Sequence, residues 1–179
     1  MLKRKIKIPK FLHEVHGHES SLEELIFNYI TVLFVTGILV IMAKDLSLST
    51  FKLAICVLLA IDLSGGVVSN FMEGTNRYYA ESSKRRYIFI SLHIIQPLLM
   101  YWIFPDEGIN IMLMTLYTLS TMSIVNGIKK QERQRFLAAV FMMSGIALAF
   151  ALNITYSVLL LMLVMFTIKL ILSFAVRWR

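Results

Sequence analysis

The sequence predicts an all-α polytopic integral membrane protein, a bundle of six transmembrane helices with both termini in the cytoplasm. Three observations support this: the composition, the lengths of the apolar stretches and the distribution of Lys and Arg. Hydrophobic residues make up 58% of the 179 positions and charged residues 16%, with a mean hydropathy of +0.72. A 20.6 kDa soluble domain cannot bury that much apolar surface in one core. The composition therefore argues against a soluble enzyme, a disordered chain and a disulfide-rich secreted domain.

Six apolar stretches approach the roughly 20 residues that an α-helix needs to cross a bilayer. We predict spans at residues 25–43, 51–70, 87–104, 109–127, 136–152 and 155–176. Residues 25–176 then form a single transmembrane domain. A basic, histidine-rich cytoplasmic arm precedes it at residues 1–24, and a short cytoplasmic C-terminal end follows at residues 177–179.

Local signals mark several ends of these spans. Ser21, with Glu24 three positions later, predicts an N-cap at the start of the first helix. The turn sequence from Pro105 to Gly108 ends the third span. Only Leu152 to Thr155 separate the last two spans, which predicts a tight antiparallel hairpin. The polar run before residue 25 predicts a retained first span rather than a signal peptide.

Lysine and arginine predict the orientation. With six spans, fifteen of these residues fall on the side that holds both termini and two fall on the other side. Cytoplasmic loops carry such an excess, so we expect both termini inside, in a bacterial cytoplasmic (plasma) membrane. The basic residues lie between apolar spans and form no continuous face, so the net charge of +7 indicates a lipid bilayer as partner and no nucleic acid.

Three ionisable residues fall well inside the predicted spans: Asp62, His93 and Lys169. A charge at mid-span costs about 2.5–3.5 kcal/mol on insertion scales, so such residues usually face protein or a water-filled cavity. At 1.5 Å per residue, the three lie roughly 9–12 Å from the inner boundary of their spans. They therefore share one level in the inner half of the membrane.

Polar neighbours extend this candidate site. Gln96 lies three residues after His93, and Pro97 deprives the His93 carbonyl of its helical partner, which predicts a kink. Gly65 and Gly66 permit close approach beside Asp62. The candidate residues for binding a substrate or an ion are Asp62, His93, Lys169, Gln96, Asn70, Ser123 and Asn126.

Three functions compete. The leading hypothesis is a small transporter-like protein that uses Asp62, His93 and Lys169 as a protonatable intramembrane site facing the cytoplasm. The second is a membrane-embedded enzyme acting on a lipid or isoprenoid head group, with basic residues holding phosphate. The third is an accessory protein in which these groups only fix helix packing, or in which Lys169 snorkels to the surface. The phosphate or head-group candidates are Arg77, Lys84, Arg85 and Arg86.

Two further hypotheses concern a metal and an oligomer. His13, His16 and His18 are candidate ligands for a transition metal as cofactor, because imidazole binds such ions. The alternative is a solvated flexible arm, since Gly17 breaks the helix that aligns His13 with His16. The small size of a six-helix bundle favours a homo-oligomer.

Overall fold

The computed structural model describes residues 5–178, and its principal elements are helices. Lys3, Arg4 and Arg179, which entered the charge count, lie outside the described residues. Five helical segments are long and apolar enough to cross a membrane, which confirms the prediction of a helical membrane protein to that extent. They are α2 (Leu22–Ala43), α3 (Thr50–Ser69), α7 (Gly108–Gly127), α8 (Gln131–Ala151) and α9 (Ser157–Thr167), which a π-helical segment, Ile168–Phe174, continues.

The third predicted span is two shorter helices instead of one. A short helix α4 (Glu73–Ala80) precedes it, and the span itself consists of α5 (Ser83–Leu92) and α6 (Ile95–Ile103), interrupted by a turn at residues 93–94. This confirms the kink that Pro97 predicts, because proline offers no N–H to the carbonyl four residues earlier. Neither half alone is long enough to cross a bilayer, so five single helices among the described residues have the length and composition of a span, and the sixth predicted span is not confirmed.

The four most basic segments gather at one end of the bundle, which we call the basic end. The hydroxyl of Thr75 in α4 donates to the carbonyl of Val15 in the N-terminal arm, at 2.7 Å. Gln134, near the start of α8, donates to the carbonyls of Val125 and Ala175, at 3.0 and 3.1 Å. The backbone N–H of Trp178 donates to the Asn76 side chain in α4 at 3.4 Å, so the N-terminal arm, α4, the α7–α8 connection and the C-terminal segment are joined.

The opposite end holds the remaining connections. The ammonium of Lys52 donates to the carbonyl of Ile103 at 3.1 Å, which ties the start of α3 to the end of α6. The backbone N–H of Thr155 donates to the carboxylate of Glu107 at 2.7 Å, which ties the α8–α9 hairpin to the start of α7. The α5–α6 pair therefore runs from the basic end to the opposite end.

The N-terminal arm is a folded cap rather than a solvated flexible arm. Strands β1 (Lys5–Lys7) and β2 (Glu19–Ser21) pair antiparallel around a 3-10 turn and the one-turn helix α1 (His13–His16). Gly17 ends α1 with a φ of +71°, which favours glycine. The predicted cap of α2 is confirmed: Ser21 and Glu24 each accept a hydrogen bond from the other's backbone N–H.

The side chains of the last helix form the centre of the core, and the outer helices expose apolar side chains. Phe166 and Leu170, on α9 and its π-helical continuation, have no exposed surface. Phe27, Leu33 and Phe34 on α2 are instead more than half exposed. Such an apolar outer face is what a bundle presents to lipid.

Candidate functional site

Asp62 and Lys169 form an ion pair between α3 and the π-helical segment. The Lys169 Nζ lies 3.0 and 2.9 Å from the two carboxylate oxygens of Asp62, and 3.3 Å from the carbonyl oxygen of the same residue. The two side chains differ in exposure: 3% for Lys169 and 52% for Asp62. The ammonium is therefore enclosed by protein, whereas its carboxylate partner also faces an open groove.

Two local features bring the ammonium to α3. The first is the π-helical segment, whose wider turn is shown by the bond from the Ala175 N–H to the Leu170 carbonyl, five residues back. Such π-helical turns are frequent at functional sites. The second is Gly66, where a Cβ atom would overlap the end of the Lys169 side chain. Glycine at position 66 therefore leaves the space through which Lys169 reaches Asp62.

Gln96 also donates a hydrogen bond to the carboxylate. Its Nε2 donates to an oxygen of Asp62, so Asp62 accepts bonds from α6 as well as from the π-helical segment. The Gln96 Oε1 is buried and has no hydrogen-bond partner among the described residues. One acceptor atom beside the ion pair is therefore available to a ligand or to water.

His93 adds a second free acceptor. Its Nδ1 lies 2.6 Å from the carbonyl oxygen of Phe89. A carbonyl oxygen only accepts, so Nδ1 carries the hydrogen, and the Nε2 of the neutral ring holds a lone pair. That Nε2 is buried and without a partner among the described residues. The ring is close enough to Asp62 and Lys169 to interact electrostatically with both.

A groove of about 660 Å³ contains this centre. It runs from Val15 and His16 in the arm, past α4 and the start of α5, to Ile55 and Leu99 deep in α3 and α6. Its walls are mostly apolar side chains of α3, α5 and α6. Drug-sized ligands occupy cavities of about 300–1,000 Å³ with a few convergent polar groups, so the groove has the size and lining of a binding site.

Unpaired polar atoms concentrate in the groove. Six buried side-chain atoms lack hydrogen-bond partners among residues 5–178, and five of them belong to residues that line it. Native proteins leave few buried polar groups unpaired, so a ligand or ordered water is expected there. The five are His16 Nδ1, Asn28 Oδ1, Asn70 Nδ2, His93 Nε2 and Gln96 Oε1.

The structure does not bring every candidate residue to Asp62. Asn70 lines the groove nearer its basic end. Ser123 is exposed and donates to the carbonyl of Leu119 in its own helix, at 2.7 Å. Asn126 instead accepts two hydrogen bonds from Arg86, at 3.0 and 2.9 Å, and does not line the groove.

The four basic candidates divide between two cavities. Arg85 lines the groove and pairs with Glu81 at 2.9 Å. Arg77 and Arg86 line a separate cavity of about 490 Å³ at the basic end, together with Arg177, which sequence reasoning did not single out. Lys84 lines neither cavity. The Glu81 carboxylate is exposed, and the hydrogen bond that it accepts from Arg85 lowers its pKa.

The arm histidines each have a separate partner. His13 and His16 bond to the Ile8 carbonyl and the Tyr29 hydroxyl, at 2.8 and 3.0 Å, and His18 lies 3.5 Å from Glu81. Burial lowers the pKa of His16. Within residues 5–178, no group of three metal-ligating side chains is gathered in one place. The metal hypothesis stays a prediction.

Comparison with known proteins adds no assignment. No protein family, curated protein or solved structure matches this chain. The groove and the ion pair are therefore the features from which a function is proposed.

Proposed function

We propose that this chain is a small transporter-like protein of a cell membrane, with a protonatable site that opens toward the cytoplasm. The proposal includes six passes, the third made by α5 and α6 together, and both termini inside. Its support is the collection of the basic segments at one end, which matches the positive charge of cytoplasmic loops. A plasma membrane, and a bacterial one, belong to the same proposal.

One observation carries the transport proposal: the Asp62 carboxylate is held by a buried ammonium and is also open to a groove. The nearby free atoms, Gln96 Oε1 and His93 Nε2, are both acceptors. A group that completes this centre must therefore bring positive charge or hydrogen-bond donors. A cation, an amine and a hydrated proton meet that requirement.

Lys169 then acts as an internal cation that competes with the transported one. When an external cation binds the Asp62 oxygens, the ammonium loses its counter-charge in an enclosed position. An unpaired buried charge is costly, so Lys169 releases a proton from Nζ and becomes a neutral amine. Departure of the cation reverses the step. This exchange couples the movement of one cation to the movement of one proton in the opposite direction.

Proteoliposomes test the proposal. Purified protein is reconstituted with a pH-sensitive dye inside, and gradients of Na⁺, K⁺ or methylammonium are imposed one at a time. At least one gradient should move protons in the wild type, and Asp62→Asn should abolish the signal. The matched control is Asp106→Asn, which removes an exposed carboxylate near the opposite end. Equal flux in Asp62→Asn and wild type contradicts the proposal, as does the absence of flux in the wild type.

A second candidate function is an enzyme acting on a lipid or isoprenoid head group. It is favoured by the apolar groove walls, where Leu58, Leu92 and Ile95 are each about half exposed. His93 would be the acid–base group, with Arg85 the basic candidate in the same groove. Conversion of added polyprenyl phosphate by the purified protein, lost in His93→Gln, supports this function over transport.

The accessory hypothesis and the homo-oligomer remain open proposals. Direct contact between Asp62 and Lys169 fits an accessory protein, but that hypothesis expects no cavity beside the pair, and the groove lies there. The exposed apolar face of α2 would contact either lipid or a second copy of the chain. Cross-linking in native membranes distinguishes the two.

A further inference from the structure

A second cavity, separate from the groove, opens at the basic end. It measures about 490 Å³ and lies between α4, the start of α5 and the C-terminal segment. Three arginines line it, and no described residue of the lining is acidic. The lining consists of Asn76, Arg77, Tyr79, Ala80, Ser83, Arg86 and Arg177.

Arg86 is a buried cation whose hydrogen-bond partners are all neutral. Its Nε and Nη2 donate to the Asn126 side chain, and Nη2 also donates to the carbonyls of Phe174 and Ala175. The residue is 8% exposed, and the guanidinium lies 4.5 Å from the centroid of the Phe174 ring. No carboxylate among the described residues compensates its charge by a hydrogen bond. Its Nη1 makes no hydrogen bond there and is not fully enclosed.

Of the other two arginines, only Arg177 adds to this uncompensated charge. Arg77 is paired with Glu73 at 2.7 Å, but the side chain of Arg177 makes no hydrogen bond or ion pair among the described residues. Arg177 is close enough to Arg86 to repel it electrostatically. Arg86 is buried and Arg177 is exposed, and an anion between the two stabilises them, because a buried cation otherwise lacks compensation.

We propose that this cavity binds a phosphate-bearing anion, held by Arg86 and Arg177 with Arg77 at the rim. Guanidinium groups bind phosphate oxygens in charge-assisted hydrogen bonds, and among the described residues the Nη1 of Arg86 and the side chain of Arg177 have no other acceptor. The Ser83 hydroxyl supplies a further donor at the start of α5, where the helix dipole also favours negative charge. The phosphate belongs either to an anionic phospholipid at the membrane surface or to a soluble molecule. This site does not depend on the transport proposal.

Trp178 provides a direct reporter for this cavity. It follows Arg177, and its backbone N–H donates to the Asn76 side chain of the lining, at 3.4 Å. The chain has two tryptophans, and the other, Trp102, lies in α6 near the opposite end. A Trp102→Phe background therefore assigns the fluorescence to Trp178.

The experiment titrates the full-length protein in an uncharged detergent with two probes: pyrophosphate, and phosphatidylglycerol in mixed micelles. Sodium chloride and phosphatidylcholine serve as controls for ionic strength and for neutral lipid. At least one probe should change the Trp178 emission in a saturable way. Saturation by phosphatidylglycerol alone identifies a lipid head group, and saturation by pyrophosphate identifies a soluble phosphate as a ligand.

Arg177→Gln is the principal variant, because that side chain has no partner to lose among the described residues. It should weaken binding by about tenfold or more, as expected for one charge-assisted hydrogen-bonding group. Arg133→Gln removes the same charge at an exposed position of α8 and should leave the affinity unchanged. A response that does not saturate, or equal affinity in Arg177→Gln and wild type, overturns the proposal.

Discussion

The ion pair between Asp62 and Lys169 allows a quantitative prediction. Asp62→Asn leaves the ammonium of Lys169, 3% exposed, with only neutral acceptors. Removing one partner of a fully buried pair costs about 3–5 kcal/mol, and exposed pairs contribute about 0–1 kcal/mol. Because half of the Asp62 side chain is exposed, we expect the free energy of unfolding to fall by about 2–3 kcal/mol, between these limits.

The partner substitution should reverse this loss. Lys169→Met removes the buried charge and keeps a flexible apolar side chain, so the Asp62→Asn/Lys169→Met double variant has no unpaired charge. Replacing both members of a buried pair is often neutral, so its stability should lie within about 1 kcal/mol of the wild type. The assay is denaturant unfolding in detergent micelles, followed by circular dichroism. Asp106→Asn, at an exposed position, should change the stability by no more than about 0.5 kcal/mol.

Two results would refute this reasoning. If Asp62→Asn is as stable as the wild type, the carboxylate does not stabilise the buried ammonium. If the double variant is less stable than Asp62→Asn, the destabilisation does not come from an uncompensated charge on Lys169. Either result would also remove the basis for treating Lys169 as the internal competitor of a transported cation.

Three further predictions concern other parts of the molecule. Gly66→Ala should destabilise the fold by about 1–3 kcal/mol, because the added methyl group overlaps the Lys169 side chain. Gly37→Ala places its methyl group in open space and should not destabilise the fold. Unfolding in detergent measures the stability of both variants. Burial lowers the pKa of His16 below its usual 6.5. The neutral His16 ring therefore contributes its full stabilisation above pH 6.5, and this stabilisation is lost as the pH falls through the lowered pKa. Amide hydrogen exchange of residues 5–21 should therefore accelerate at pH 5.5 relative to its intrinsic rate, and His16→Gln should suppress this acceleration. Equal protection of these amides at pH 5.5 and 7.5 in the wild type argues against a role of His16 in stabilising the arm. Ser21→Ala removes the α2 cap and should lower the free energy of unfolding by about 0.5–2 kcal/mol, and Ser47→Ala, at an exposed position, is the control. Unchanged amide hydrogen exchange at the start of α2 would contradict the capping role.

The sequence predicted those parts of the fold that depend on local composition. Apolar length and the Ser21–Glu24 pair predicted the long helices and the first cap. Pro97 predicted the interruption of the third span, because loss of one backbone donor is a local property. The π-helical segment was not predicted, since no local signal in Ile168–Phe174 distinguishes it from an α-helix. The segment packs against α3, α7 and α8, contacts that the local sequence does not predict.

Only part of the candidate site could be predicted from the sequence. Asp62, Lys169 and His93 were found because charged groups are rare in apolar spans. Ser123 and Asn126 were predicted as candidates, but the direction in which they face depends on how α7 packs. Arg177 was counted only for orientation, because its approach to Arg86 requires the C-terminal segment to pack beside the start of α5.

The central claim is that a cation bound at Asp62 displaces a proton from Lys169, and proton release on cation binding tests it most directly. The solubilised protein is placed in weakly buffered solution with a pH-sensitive dye, and Na⁺, K⁺ or methylammonium is added. Our account predicts saturable release of about one proton per cation bound in the wild type, with no release from Lys169→Met. Cation binding without proton release, or the same release from Lys169→Met as from the wild type, would contradict it.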